Sequence, residues 1–269
     1  MIITNNSLFL YKKSPMSEKI YLKDYLENEQ NLLQNLSIDC VIFGFANNLL
    51  KILLLKYKNT NYYALPGGFI GINENLEDAA QRILKERAGL RDIYLEQFYV
   101  FGSKNRQNDD IHREIMAGSG LTIKPNYFLF NRFISIGYYA LIDFSEAIPT
   151  PDDLSDSCDW YDFDKIPPLM FDHNEIAQKA LETLRSGIDE KLIGFNLLSE
   201  RFTMNELQSL YETILGEKLI RSNFQRKILG LGILERIEKK MTGAANKAPY
   251  LYRFVGSTKT HKLLKINPL

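Results

Sequence analysis

The sequence predicts an α+β protein of two modules: an α/β/α sandwich built on a mixed sheet, followed by a C-terminal winged helix-turn-helix. Three observations carry this. Two apolar β runs meet at Asn47-Asn48 and lead into the glycine-rich loop and helix "GGFIGINENLEDAAQRILKERAGL", Gly67 to Leu90. Aromatic strands and a Pro-Pro stop then close the first module. From Glu190 onward the chain carries 14 Lys and Arg against 7 Asp and Glu, leaving 19 against 26 before it, so a basic module follows an acidic one.

With 269 residues, 45% apolar and 25% charged, the chain can bury the cores of two modest domains. There is no basic-then-apolar signal pattern, and no apolar run reaches about 18 residues. A cytoplasmic protein without a membrane partner is expected. Cys40 and Cys158 lie far apart without CxxC spacing, which argues for buried thiols rather than a disulfide framework or a cysteine zinc site. The charge asymmetry is the footprint of a nucleic-acid binder that carries something else.

Residues 1–36 form a polar N-terminal segment with a helix-like stretch, "YLKDYLENEQNLLQNL". The first domain spans 37–168. Its strands Cys40–Phe45 and Leu49–Tyr57 are joined by Asn47-Asn48, residues that tolerate the positive φ of a tight hairpin. After the glycine-rich loop comes a helix with Asn75 as N-cap, Glu77 and Asp78 in the first turn, and Gly89 as a left-handed stop. "DIYLEQFYVFG" and "NRFISIGYYALIDF" are strands by their aromatic and β-branched content. Ser103–Leu129 between them is long, polar and glycine-containing, and reads as an excursion or flexible loop. "DWYDFDKIPPL" supplies a last short strand. A connecting helix, 169–190, is capped by Asp172. The winged helix spans 191–257: Thr203 and Glu206 stand at capping-box spacing, "GEKLI" turns into "RSNFQRKILG", and "GILERIEKK" pairs with "YLYRFV". Residues 258–269 form a tail.

The first domain's chemistry rests on the helix after the glycine-rich loop. At about 100° per residue, positions 83, 86 and 87 share one face. Carboxylates at all three would gather Mg²⁺ against a diphosphate and ready a water for attack. The sequence places Ile83, Glu86 and Arg87 there. One carboxylate beside a fixed guanidinium concentrates divalent metal poorly, and the remaining metal candidates are Glu74 and Glu86. No cofactor is expected, and Mg²⁺ enters only if the protein is a hydrolase, with Asp109, Asp110 or Glu114 as replacement ligands. Phe69, Arg82, Glu86, Arg87, Tyr138 and His173 are the candidate contacts for a small-molecule effector. As alternatives, Ile83 and Leu84 are core contacts, Glu86 and Arg87 a surface pair, Tyr138 a core residue and His173 a capping or packing residue.

In a helix-turn-helix the second helix presents its N-terminal residues to base edges. Arg221, Ser222, Asn223, Gln225 and Arg226 crowd that end, where arginine reads guanine and Asn or Gln reads adenine. Lys227 suits a phosphate, and Lys239, Lys240 and Lys247 suit a wing along the DNA backbone. Phe224, Ile228 and Leu229 are expected to face the core.

The box resembles the Nudix motif G-x5-E-x7-R-E-U-x-E-E-x-G-U, where U is apolar. Gly68, Glu74, Arg82, Leu84, Glu86, Gly89 and Leu90 fall in register, and Ile83 and Arg87 depart from it. With "DCVIFGF", "YLEQFYVFG", "ISIGYYALID", "PPLMFDHNEIAQKAL" and "RSNFQRKIL", the chain looks like the Nudix-related transcriptional regulators over residues 38–255. The resemblance implies a degenerate, ligand-sensing Nudix domain and a winged helix on operator DNA, in a homodimer. One branch of that family answers to ADP-ribose, another to pentose sugars such as arabinose, and "RILKERAGL" looks closer to the sugar branch. The family's short "FG-x-x-x-RDP" turn is replaced here by Ser103–Leu129. Two further readings stay open: an active hydrolase of ADP-ribose or another nucleoside diphosphate derivative, and a scaffold that binds protein partners.

Overall fold

The computed structural model describes residues 29–106, 108–122, 127–144, 147–188, 197–240 and 248–255. A seven-stranded mixed sheet forms the first module. Its central strand, β1 (Leu32–Ala46), runs parallel to β6 (Ile134–Leu141) over Leu36–Phe43 and antiparallel to β2 (Leu49–Tyr57) at its other end. β3 (Tyr63–Ala64) pairs with β2, β4 (Gly67–Gly71) with β1, β5 (Glu96–Phe101) with β6 and β7 (Ser155–Asp162) with β2. Asn47 and Asn48 turn the β1–β2 hairpin at φ 53° and 59°, as their residue type predicts.

The period-two alternation of β1 and β2 makes two cores. Ile38, Cys40, Ile42, Leu53 and Leu55 face helix α1 (Leu76–Ala88), burying Ala79, Ala80, Ile83, Leu84 and Ala88. Val41, Phe43, Leu50, Ile52 and Leu54 face the opposite way, against helices α3 (His173–Ser186) and α4 (Met204–Leu215). The sandwich is therefore closed on its second side by the winged helix as well as by the connecting helix.

Leu32–Leu36, expected to end a helix, are strand. Leu32 pairs with Gly71 and Leu36 with Ile134, and two ladder partners outweigh local helical preference. Ser103–Leu129 also departs from the loop reading. It contains helix α2 (Asp109–Gly118), whose N-cap Asn108 accepts a hydrogen bond from the Asp110 N–H, and it runs into a 3₁₀ turn, Phe128–Phe130. Ile115, Met116, Phe128 and Leu129 bury themselves with Leu32, Ala64, Phe133 and Met170, plugging one end of the sheet.

Asp172 sits at the N-cap position of α3 but its side chain does not cap; it is held by an arginine described below. In the second module, Thr203 and Glu206 make the full capping box that starts α4, with bonds of 3.2 and 2.6 Å. Gly216 stops α4 at φ 77°, α5 (Arg221–Gly230) follows, and β9 (Leu234–Lys239) pairs with β10 (Tyr250–Phe254), which also takes up β8 (Phe202–Thr203). The two modules are tied beyond their shared core: Thr213 donates to the Asn48 carbonyl at 3.1 Å, and the Arg185 Nε to the Ile214 carbonyl at 2.6 Å. Residues 21–28 of the helix-like stretch, the 189–196 connection, the wing tip with Lys247 and the 258–269 tail lie outside the described residues.

Candidate functional site

A cavity of about 150 Å³ lies between β4, α1, α2 and the start of α3. Gly67 and Gly68 form part of its wall: a Cβ on Gly67 would meet the Ile38 carbonyl oxygen at 2.9 Å, and one on Gly68 would crowd the Ile83 Cγ1 at 3.0 Å. Phe69 borders it with its ring 5.2 Å from Phe128 and 5.4 Å from Phe133, and its carbonyl accepts from Arg82 at 2.8 Å.

Every guanidinium in this wall is engaged. Arg82 donates to both oxygens of Glu74, at 2.7 and 2.8 Å, and to Glu86 at 2.9 Å. Glu74 also accepts from the Gly71 N–H at 3.0 Å; burial works to raise its carboxyl, but the Arg82 and Gly71 bonds hold it below the usual range. Arg87 bonds Asp152 and donates to the Tyr57 hydroxyl at 3.0 Å, over whose ring it lies. Burial opposes the Arg87 charge; Tyr57 and Asp152 more than offset that.

Deeper in, Arg106 makes a bidentate pair with Asp172 at 2.8 and 2.9 Å and stands 3.6 Å from Asp39, which also accepts from Ser135. The His173 Nδ1 accepts from the Leu65 N–H at 3.1 Å, and its Nε2 is 3.6 Å from Asp39. Burial lowers the His173 pKa despite Asp39 and Asp172. This network joins the cavity to the first turn of α3, the helix that runs to the winged module.

Of the residues proposed from sequence to contact an effector, Phe69, Arg82, Glu86, Arg87 and His173 border the cavity. Tyr138 does not: it is 2% exposed in the α1-facing core, with its hydroxyl 3.4 Å from Gln97. Sequence reading missed Arg106, His112, Ile115 and Met116, all from the segment taken for an excursion. A signal for Arg106 existed, because Phe101–Arg106 preserves the FG-x-x-x-R part of the family turn. Helix α2 announces itself only through Asn108 and its apolar Ile111, Ile115 and Met116 spacing.

The donor set does not fit a divalent metal. Ile83 is buried against Gly68, both candidate carboxylates are bound by Arg82, and Arg87 occupies the third position with Asp152. Asp109, Asp110 and Glu114 are exposed on α2 and do not border the cavity; Glu114 accepts from the Tyr62 hydroxyl. Among the described residues no group of three or more His, Cys, Asp or Glu is arranged to hold a metal, and no helix is long and apolar enough to cross a membrane.

On the second module Phe224 and Ile228 are buried, with the Phe224 ring 5.2 Å from Tyr211, so the opposite face of α5 points outward. Arg221, Ser222, Asn223, Arg226 and Lys227 are exposed and Gln225 is half-buried. Arg226 donates to the Asn223 carbonyl oxygen at 3.1 Å. Leu229, expected inside, is 47% exposed: the i, i+4 pair Phe224 and Ile228 defines the inward stripe, and Leu229 lies about 100° away. In the hairpin, Lys239 and Arg236 stand 5.7 and 4.5 Å from the Tyr250 ring, while Lys240 pairs with the capping-box Glu206 at 3.1 Å.

This sandwich, with its glycine-rich loop, α1 helix and cavity, defines a Nudix domain, and the Nudix family model matches residues 33–184; the chain belongs to the Nudix family. Residues 194–254 match the NrtR DNA-binding winged helix domain, so the chain joins a Nudix domain to an NrtR-type winged helix. It is 29% identical to the ADPR responsive transcriptional repressor NtrR of Acinetobacter baylyi, over 88% of each chain. The Shewanella oneidensis NrtR structure, complexed with a 27mer DNA, superposes with a TM-score of 0.62 at 25% identity, covering 82% of this chain and 94% of that one. The Nudix portion is 30% identical to an ADP-ribose pyrophosphatase of Methanocaldococcus jannaschii, over 48% of this chain and 64% of that protein.

Proposed function

We propose that this protein is a ligand-responsive transcriptional regulator: its Nudix domain senses a small molecule, sugar or ADP-ribose-like, without hydrolysing it, and its winged helix grips operator DNA. One observation carries the reading. The α1 face that would assemble metal in a hydrolase is filled by Ile83, the Arg82–Glu74–Glu86 cluster and the Arg87–Asp152 pair, while a partly open cavity remains beside it. The repressor named for its ADPR response and the relative solved on DNA support the same division of labour.

On this reading Arg221, Asn223, Gln225 and Arg226 read bases, and Lys227, Lys239, Lys240 and Lys247 hold phosphates. The protein acts in the cytoplasm as a homodimer, each winged helix on one half-site of a palindromic operator. The effector acts through α3, whose first turn carries Asp172 and His173 and whose last turn bonds α4. It shifts the dimer only by as much as it prefers one geometry to the other.

The test is fluorescence anisotropy of the purified protein on labelled DNA from its own upstream region, in rising salt, with and without ADP-ribose and arabinose. Tight binding that falls steeply with salt and shifts with a ligand is expected. Release of AMP from ADP-ribose with Mg²⁺ or Mn²⁺ at an ordinary rate, on the order of 1 per second, overturns the non-catalytic reading.

A further inference from the structure

Helix α5 is held in one rotation about its own axis. Phe224 and Ile228 are buried, with the Phe224 ring 5.2 Å from Tyr211. The turn that leads into the helix is clamped by α4: the Glu212 carboxylate accepts from the Leu219 N–H at 3.0 Å, and the Gln208 amide donates to the Leu219 carbonyl at 2.9 Å. With one face fixed inward, the face that meets solvent is fixed as well. It carries Ser222, the half-buried Gln225, Arg226 and Leu229. Their i, i+3, i+4, i+7 spacing puts side chains on one side of a helix, and it is the spacing by which a homeodomain's reading helix reaches base edges.

Three of those four residues are polar. Leu229 is not, and at 47% exposed it is the one apolar side chain of α5 outside the Phe224–Ile228 stripe. We propose that Leu229 is a specificity-determining residue of the DNA-reading face, and that what it reads is the C5-methyl group of a thymine in the major groove. The inference rests on the regulator reading and deepens it, adding an apolar contact to the polar ones given above.

The chemistry of the groove selects this occupant. Base edges in the major groove present hydrogen-bond donors and acceptors at every pair, and one apolar group, the thymine methyl. A leucine set against a phosphate or an amino group desolvates it without replacing its hydrogen bonds. Set against a methyl, it takes apolar surface of both partners out of water. Arg226, on the same face, donates to the Asn223 side-chain oxygen at 3.1 Å, which steadies the guanidinium there. Leu229 lies about 4.5 Å further along the helix axis than Arg226, so its thymine is expected within about two base pairs of the pair that Arg226 meets. Ile220, at the N-cap, is more exposed, at 69%. It stands four residues before Phe224, in line with the inward stripe, so its exposure marks the end of the core rather than the reading face.

The experiment is anisotropy of the full chain on the duplex from its own upstream region that binds most tightly, with each thymine replaced in turn by deoxyuridine. That replacement deletes the methyl and keeps the base pair. Wild type, Leu229→Ala, Leu229→Met and Ile220→Ala are compared. At one thymine of the half-site the wild type should lose about fourfold in affinity, the scale of one buried methyl group. L229M should keep most of that response, I220A should keep all of it, and L229A should bind the thymine and deoxyuridine duplexes alike. A methyl response that L229A leaves unchanged, or that I220A abolishes instead, overturns the role of Leu229. So does a loss in L229A that is equal on every duplex and comes with a change of oligomeric state in sedimentation, which assigns the residue to a protein interface. If binding is sequence-specific but the wild type answers to no thymine methyl, this inference fails and the regulator reading stands; if the wild type binds every duplex weakly and alike, both fall.

Discussion

The charged groups of the cavity and those of the winged helix are arranged in opposite ways. Around the cavity, guanidiniums and carboxylates are buried and tied to one another: the Arg87 and Arg106 side chains are 11% and 6% exposed. At the start of α5 and on the wing, the cations stand in solvent, and their contacts are light: Arg226 to Asn223, Lys239 near Tyr250, Lys240 to Glu206. A buried pair is costly to break and of little use for attracting an anion, whereas an exposed cation costs little to remove and can exchange its counterions for phosphates. On the proposed function, the contrast separates a cavity suited to recognising a shape from a surface suited to recognising a charge pattern.

The sharpest way to break the comparison is Arg106→Ala. It leaves Asp39 and Asp172, both under a tenth exposed, without their cation. A loss of about 3–5 kcal/mol is expected, read from the urea midpoint, while Arg226→Ala should cost under about 0.5. A loss from R106A no larger than from R226A would show that the cavity charges are no more structural than the surface ones.

His112 gives a second handle. Its folded-state pKa is pushed down to about 4 by burial, with Asp109 opposing and His173 adding to the shift. Above about pH 6.5 it is neutral folded or unfolded and contributes no slope. As pH falls from there towards 4 the unfolded chain takes the proton first, so stability drops, by on the order of 3 kcal/mol. Compared with His112→Phe, the wild type should lose that increment across the window, and parallel melting curves would remove the basis for a buried neutral imidazole.

The DNA face should yield smaller and differently shaped effects. Arg221→Ala or Asn223→Ala should cost about 1–3 kcal/mol on the operator and alter which base is preferred, measured by anisotropy on a panel of single-base variants. Lys239→Ala should weaken every sequence alike and reduce the salt slope by about 1. A sequence-independent loss from both Arg221 and Asn223 would move α5 out of the groove.

Much of the scaffold was legible because its signals are local. Asn47-Asn48, the Gly89 stop, the Thr203–Glu206 box and the Phe224–Ile228 stripe are each decided within a few residues. The misreadings share a long-range cause. Leu32–Leu36 become strand through partners at Gly71 and Ile134, and Asp172 leaves its capping role for Arg106, 66 residues away. Tyr138 alternates onto the α1 face because of β6's register with Cys40, which a single strand does not reveal. Segment Ser103–Leu129 was opaque for another reason: α2 opens on exposed polar residues such as Asp109 and Asp110, while the apolar residues that bury, Ile115, Met116, Phe128 and Leu129, are few and separated along the chain.

The Thr213 bond to Asn48 and the continuous core beneath it bear on how such a protein can be rebuilt. A recombinant winged helix cut out alone would expose Leu207, Leu210 and Ile214 to water, and the remaining sandwich would lose the cover over Leu50, Ile52 and Leu54. Exchange of modules between relatives to make a reporter with a new operator therefore has to carry the matching faces of β2 and α3 along with it; the natural unit of transplantation is the seam, not the domain.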